Sequence, residues 1–408
     1  AMLPYTGLFV LITHQFKKPL VATSANLSGS PIIYNDEDAL EHLFAFADFV
    51  VTYNRDIVMP QDDSVVQITP SGQKIILRRS RGLAPNYYPN PFNYTTDTVL
   101  AMGAELKGSW ALNYDDVLYV SQFLGNQSFL ESQNSYQNTL QHVSGLLKVK
   151  PDVILVDKHP KYEISQVGRE MALYHKADLY EVQHHKAHFA AVLAENNLLS
   201  TKEKVLGVVW DGIGLGDDEQ IWGGEFFVYD KQRIERKFHL KYFFYLLGDK
   251  MSYEPRLSAM SVLQHVPHSA ELVDKYFSET ELNYYKHFIM QTKQVNTSSM
   301  GRLLDAVASI LGIQQYNSYE AEAAMMLEKA ARSCKHFCAE TYSFEINGEE
   351  IDYTIMLDEL ALDIEKNYTI ETIAAKLYIS LASLIMQVSD RLCIDKIAFS
   401  GGVFQNAY

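Results

Sequence analysis

The hydrophobic pattern along the chain changes period repeatedly, and each change marks an element. Residues 135–148 place Leu140, Val143 and Leu147 at helical spacing. PDVILVD predicts a buried strand ending at Asp157, ADLYEVQ predicts another, and HHKAHFAAVLAENN continues from it as a helix. VLAMGAELKGSWAL and DDVLYVSQ predict a strand hairpin and a further strand. KVLGVVWDGIGLGDDEQIWGGEFFVYD predicts two strands around a Gly-rich turn. Residues 297–340 and 369–392 are mainly helical in pattern, and DKIAFSGGVFQN predicts a strand, a glycine turn and the start of a helix. Before residue 82 the elements are shorter. PLVATSAN reads as a strand entering a Ser/Asn turn. DEDALEHLFAFA reads as a helix capped by Asn35 or Asp36, and ADFVVTYN and SVVQIT are strand-like. Three prolines and several asparagines break the pattern over 83–96, which predicts an interdomain linker. Strands alternating with helices, plus hairpins, predict an α/β architecture.

Length and charge narrow this picture. At roughly 150 residues per domain, 408 residues predict two or three domains. A net charge of −15 argues against non-specific nucleic-acid binding, since a polyanion is repelled. The one short basic cluster is Arg78, Arg79 and Arg81. Three cysteines exclude a disulfide scaffold and predict a reducing, cytoplasmic setting. Cys334 and Cys338 flank His336 in a helical pattern, and ordinary helix-face thiols are the reading favoured over a zinc site. There is no run of 18 apolar residues, so no membrane span is predicted. The apolar start lacks a basic leader and a cleavage site, so it is not read as a signal peptide.

The sharpest chemical pattern is His184-His185-Lys186-Ala187-His188, followed by Asp211. His184 and His188 are one helical turn apart and project from one face, a spacing that can hold a divalent metal. Asp211 ends the strand VLGVVW, where a carboxylate can complete the site. Two nitrogens with oxygen ligands suit zinc or iron(II); the plain alternative is a polar helix surface. Asp211-Gly-Ile-Gly-Leu-Gly216 predicts a turn whose amides form an anion nest, with a tight hairpin as the alternative. Ser400-Gly-Gly-Val-Phe-Gln-Asn406 follows a strand and is placed to aim amides at a nucleotide, with Asn406 adding a side-chain contact. Thr23-Ser-Ala-Asn-Leu-Ser-Gly29 gathers hydroxyls and an amide suited to phosphate or carboxylate oxygens, or forms a plain Ser/Asn turn. Two Gly-containing loops, one in each α/β half, suggest an actin-like or sugar-kinase-like fold that clamps ATP in a cleft.

Taken together, these blocks resemble the HypF family of hydrogenase-maturation carbamoyltransferases. LPYTGL at 3–8, TSANLSG at 23–29, NRDI at 54–57, DDSVV at 62–66 and RRSRGLAP at 78–85 resemble the second half of the family's YrdC-like domain. MGAELK at 102–107, SQFLGN at 121–126, HPKY at 159–162, VQHHKAH at 182–188 and DGIGLG at 211–216 resemble its actin-like domain. So do IWGGE at 221–225, SSMGRLLDAVASILG at 298–312, YEAEAAMMLE at 319–328 and SGGVFQN at 400–406. The resemblance implies a partial YrdC-like α/β domain at 1–82, a linker at 83–96 and a two-lobed actin/sugar-kinase-like (ASKHA) α/β domain at 97–408.

It also implies a two-step reaction. ATP, with Mg, joins carbamate released from carbamoyl phosphate to give carbamoyl-adenylate. The carbamoyl group then passes to the C-terminal cysteine of a partner, HypE, for cyanide-ligand synthesis in nickel–iron hydrogenases. On this reading Ser24 and Asn26 bind carbamate or adenylate in the first domain, and His184, His188 and Asp211 hold Zn or Fe. Gly212, Gly214, Asp305, Glu320, Gly401, Gly402 and Asn406 line the second nucleotide site. A threonylcarbamoyl- or O-carbamoyltransferase, or a nucleotide-binding module without turnover, are the alternatives. The family's acylphosphatase domain, four-cysteine segment, first half of the YrdC-like domain and later Asp-Gly-Gly segment have no counterpart in these residues. Ile213 stands for a usual Thr, Pro60 for an Arg and Ala321-Glu322 for Gly-Gln. Impaired turnover and weakened metal binding are expected of the chain as it stands.

Overall fold

The computed structural model describes residues 3–26, 32–90, 97–266, 270–291, 295–335 and 340–408. His336, Cys338, Leu27 to Gly29 and residues 91–96 of the expected linker lie outside them. The first unit contains helices α1 (Gly7–Phe16) and α2 (Asp36–His42) and strands β1 (Val65–Ile68) and β2 (Lys74–Arg78), which pair antiparallel. Asn35 caps α2 by accepting the Glu37 amide at 2.8 Å, and Asp36, Glu37 and Asp38 in the first turn complement the helix dipole. The strands expected within 19–26 and 47–54 do not form. A strand exists only where a neighbour takes its backbone donors and acceptors. Here neither segment joins a ladder among the described residues, where the Ile33 amide donates to Ala25 O at 2.8 Å as a single contact outside any strand, and Val21, Phe49 and Val51 are exposed.

A six-stranded sheet follows. It contains β3 (Asn86–Pro89), β4 (Val99–Ala101), β5 (Ala111–Tyr114), β6 (Val117–Val120), β7 (Val153–Asp157) and β8 (Asp178–Val182), in the order β3-β6-β5-β4-β7-β8. The expected linker is therefore partly an edge strand, where Pro89 costs no ladder bond. β4, β7 and β8 run parallel, with helix α3 (Leu130–Leu147) between the first two and α4 (Glu163–His175) crossing from β7 to β8. Trp110, Tyr119, Tyr136, Leu140 and Val143 fill the core between sheet and helices. The basic cluster is structural. Arg79 Nη2 donates to Ser121 O at 2.6 Å and Phe123 N donates to Arg79 O at 3.0 Å, which ties the first unit to this sheet.

The second sheet is larger. Helix α5 (His184–Glu195) leads into β9 (Val205–Leu215), β10 (Ile221–Asp230), β11 (Arg233–Leu240) and β12 (Phe243–Phe244). Helices α6 (Lys250–Tyr253), α7 (Pro255–Val262) and α8 (Glu279–Gln291), strand β13 (Asn296–Thr297), and helices α9 (Met300–Ile310) and α10 (Glu322–Arg332) come next. The described chain closes with β14 (Glu345–Asn347), β15 (Glu350–Asp352), α11 (Thr354–Glu365), α12 (Ile370–Leu392) and β16 (Ile397–Ser400). β9 lies between antiparallel β10 and parallel β16. Its side chains alternate between two cores. Leu206, Val208 and Trp210 join the cluster that includes α7, α9 and α12, while Val205 and Val209 meet Phe189 and Leu193 of α5. Burial on both faces explains why β9 reads as a nearly unbroken apolar run. Among the described residues α12 is long and apolar enough to cross a membrane, but 56% of its apolar window is buried inside the fold.

Candidate metal centre

The alternation of β9 also aims Asp211. Residues 205 and 209 face α5, and so does 211. Helix α5 begins at His184, its cap Gln183 accepting the Lys186 amide at 2.9 Å. Asp211 Oδ2 lies 3.2 Å from His188 Nε2 and 3.7 Å from His184 Nε2. One ligand atom from each residue falls within 4.8 Å of the others. Both remaining imidazole nitrogens are occupied. His184 Nδ1 is 2.8 Å from Asp157 Oδ2 at the tip of β7, and His188 Nδ1 is 3.3 Å from Ser400 Oγ at the tip of β16. The other oxygen of Asp211 accepts from the amides of Gly212 at 2.8 Å and Gly402 at 3.4 Å. The ends of β7 and β16, the start of α5 and the interior of β9 thus converge, with two nitrogens and one oxygen turned to a common point; Asp211 does not end its strand as expected, since β9 runs on to Leu215. The expected triad is brought together. Its donor set fits zinc or non-haem iron(II) and leaves coordination positions open.

Charge is partitioned within the histidine run. Burial works against a proton on His184, but hydrogen bonds and charge from Asp157 and Asp211 outweigh it and hold the imidazole up at about 9. Burial pushes His185 down to about 3, and the charge of His184 adds to the effect. His185 is therefore a neutral packing residue, bonded at Nδ1 to Gln183 Nε2 at 3.0 Å. Burial would raise Asp211, yet hydrogen bonds and charge from both ligand histidines keep it well below the usual carboxylate range.

The residues expected to line a nucleotide site are placed less uniformly. Gly212 and Gly214 lie inside β9, with the turn at 216–220; Gly214 stands opposite Trp222 and the Gly212 amide turns to Asp211 Oδ1, so the expected nest gives way to strand pairing and a carboxylate contact. Gly214 is buried, and a Cβ there would collide with His185 Cε1 and lie 3.1 Å from His184 Cδ2. Asp305 is buried in α9, 2.9 Å from Arg302, and burial raises it to about 6. Gly401 has φ +100° and passes directly over the Trp210 backbone, which leaves no room for a side chain. Gly402 starts a four-residue 3₁₀ turn in place of the expected helix, and its amide serves Asp211. Glu320 is exposed and pairs with Lys107 of the first sheet's unit at 3.3 Å. Asn406 Oδ1 accepts from Tyr408 N at 2.8 Å.

In the first unit Ser24 Oγ donates to Asn26 Oδ1 at 2.6 Å, and both line a cavity of about 240 Å³. Gln61, Asp62, Arg78, Asn126, Ser132 and Ser135 add to its polar wall, so the cavity lies between the first unit and α3. Of the substituted positions, Ile213 packs on the larger core and the Pro60 carbonyl accepts from Gln122 Nε2 at 3.3 Å. Ala321 holds φ +61°, a backbone conformation that favours glycine. The sequence reading missed Asp157 and Ser400 as partners of the two imidazoles. Their position at strand ends was the available signal.

Fold and site define a mixed α/β protein with a YrdC-like unit followed by a Kae1-like one. Residues 207–408 match the family described as carbamoyltransferase, Kae1-like domain, second subdomain. Residues 94–195 match the HypF Kae1-like domain, and residues 1–80 match the Sua5/YciO/YrdC family, described under telomere recombination. The carbamoyltransferase HypF of Synechocystis sp. is 34% identical over 432 residues, covering 100% of this chain and 54% of that protein. The HypF of Rhodobacter capsulatus is 33% identical, covering 100% of this chain and 54% of that protein. A full-length HypF crystal structure in the phosphate- and nucleotide-bound form superposes with a TM-score of 0.89 at 31% identity, covering 100% of this chain and 64% of that one. HypF from T. kodakarensis gives the same score and identity, with 55% of its chain covered. The chain belongs to the HypF carbamoyltransferase family, and it spans about half the length of the curated relatives it matches.

Proposed function

We propose that this chain serves ATP-dependent carbamoyl transfer in nickel–iron hydrogenase maturation. In the reaction, water releases carbamate and phosphate from carbamoyl phosphate, carbamate attacks the α-phosphate of ATP to give carbamoyl-adenylate and pyrophosphate, and the C-terminal cysteine thiol of a HypE-type partner takes the carbamoyl group as AMP leaves. The observation that carries this reading is the convergence of His184 Nε2, His188 Nε2 and Asp211 Oδ2. These three residues would hold zinc or iron(II), which when bound supplies a Lewis acid for a carbamoyl or phosphate oxygen. The chain's own contribution is to keep Asp211 ionised and to turn both imidazoles the same way. The relatives named carbamoyltransferase support the class of reaction, and the nucleotide- and phosphate-bound relative supports a nucleotide ligand. Carbamate is a poor electrophile, so a mixed anhydride with AMP gives it a good leaving group.

Two measurements test the reading. Carbamoyl-phosphate-dependent exchange of pyrophosphate into ATP, followed by a carbamoyl mass increment on the partner's terminal cysteine, is expected from the complete protein. His188→Ala is expected to lose bound metal by elemental analysis while its circular dichroism is unchanged. Equal metal content in variant and parent defeats the site assignment. A second reading is a nucleotide-binding module without turnover. Nucleotide binding by this chain without pyrophosphate exchange is its signature.

A further inference from the structure

We propose that Asp157 is the positioning residue of the metal centre, fixing which nitrogen His184 offers to a divalent metal; this rests on the metal reading above. A carboxylate oxygen only accepts, so an imidazole nitrogen 2.8 Å from Asp157 Oδ2 must carry its proton. That leaves Nε2 as the ligand nitrogen, and Nε2 is the atom facing Asp211. His188 is held differently. Its Nδ1 meets the Ser400 hydroxyl at 3.3 Å, a group that both donates and accepts and so dictates no tautomer. The two imidazoles of the pair are therefore not equivalent, and only one is locked by charge.

Asp157 is itself immobilised. Its side chain is 6% exposed, and its Oδ1 accepts the His159 amide at 2.8 Å. It stands at the tip of β7 in the six-stranded sheet, whereas α5 packs its apolar face on β9 of the larger sheet. The hydrogen bond therefore crosses from one sheet's strand end to a helix seated on the other. A second bridge runs beside it, where Asp217 accepts from Lys158 and Lys186, each at 2.7 Å. Positioned ligands of this kind lose roughly 10–100-fold in metal affinity when the outer partner is removed. Asparagine at 157 keeps the shape but can turn its amide to His184 Nδ1. That choice moves the ring proton to Nε2 and blocks the ligand nitrogen.

The test uses Zn²⁺ in competition with a chelator, on the parent chain, Asp157→Asn, Asp157→Ala and His188→Ala, with thermal melting to confirm folding. Asp157→Asn is expected to bind Zn²⁺ roughly 10–100-fold more weakly than the parent. Zn²⁺ affinity equal to the parent's in folded Asp157→Asn overturns the proposal. A metal-free readout separates this from the metal reading itself. In the proton NMR spectrum of the parent, a strongly downfield imidazole N–H resonance is expected, absent from His184→Gln and lost or moved upfield in Asp157→Asn. If the parent binds no Zn²⁺, the metal reading fails while this resonance still decides the role of Asp157. Its absence from the parent overturns the positioning role.

Discussion

Asp211 divides its two oxygens between two tasks. Oδ1 is gripped by the amides of Gly212 and Gly402, which fixes the carboxylate plane, and Oδ2 is left for the imidazoles. Gly214 acts on the same site by being small. Its missing side chain makes the space for His185, which is fully buried and cannot swing away. Gly214→Ala therefore forces the histidine pair off β9. Overpacking of this kind costs about 1–3 kcal/mol, and the variant is expected to melt lower and to bind Zn²⁺ more weakly. Unchanged melting and affinity would show that α5 yields to the added methyl.

Element β9 owes its length to partners on both edges and both faces, and it ends where Asp211 to Leu215 pass beneath α5 and beside the start of α9. Helix α9 is held there by its cap. Ser299 Oγ donates to Gly212 O at 2.7 Å and accepts the Arg302 amide at 3.0 Å. Helices α7 and α8 are joined by a different device, the buried Arg256, which donates to Glu281 at 2.7 Å and to Glu254 at 2.8 Å. Hydrogen bonding from Arg256, helped by the Ser278 amide and hydroxyl, pulls Glu281 down to about 2. A depressed folded-state value stabilises above the ordinary carboxylate range and is lost as pH falls through the folded value. Glu281→Gln should melt below the parent at pH 7. That gap should narrow as pH falls from about 4.5 toward about 2. A gap independent of pH would mean the pair acts by packing alone.

For the whole molecule, burial is unevenly distributed. The two sheets and their helices hold the three apolar clusters, while α1 has no buried residue and Val21, Phe49 and Val51 are exposed. Opening free energy follows buried contact, so protection should follow the same gradient. Hydrogen exchange read by mass spectrometry is expected to label 7–16 first and 205–215 last. Equal protection of the two would show that the first unit folds cooperatively with the rest. The ion pair Lys107–Glu320 also spans the two sheet-bearing units, but both partners are exposed, and such a pair contributes little. The buried Asp157–His184 contact is the better candidate for coupling them.

Much of the site was legible locally. The i,i+4 histidines, the face on which Asp211 lies and the Asn35 cap all depend on spacing along one element, and period alone assigns their faces, although β9 runs on past Asp211 to Leu215. Other features were settled only by folding. Asp157 lies 27 residues before His184 and Ser400 lies 212 after His188, so no local pattern announces either contact. The same holds for 211–216, which looks like a loop although β9 runs on to Leu215, with Gly214 opposite Trp222 of β10 and the Gly212 backbone met by the Asp211 and Ser299 side chains. PLVATSAN and ADFVVTYN carry strand-like residues yet join no strand ladder among the described residues. Side-chain period is written into the chain, whereas hydrogen-bond partners are supplied by whatever the chain brings alongside.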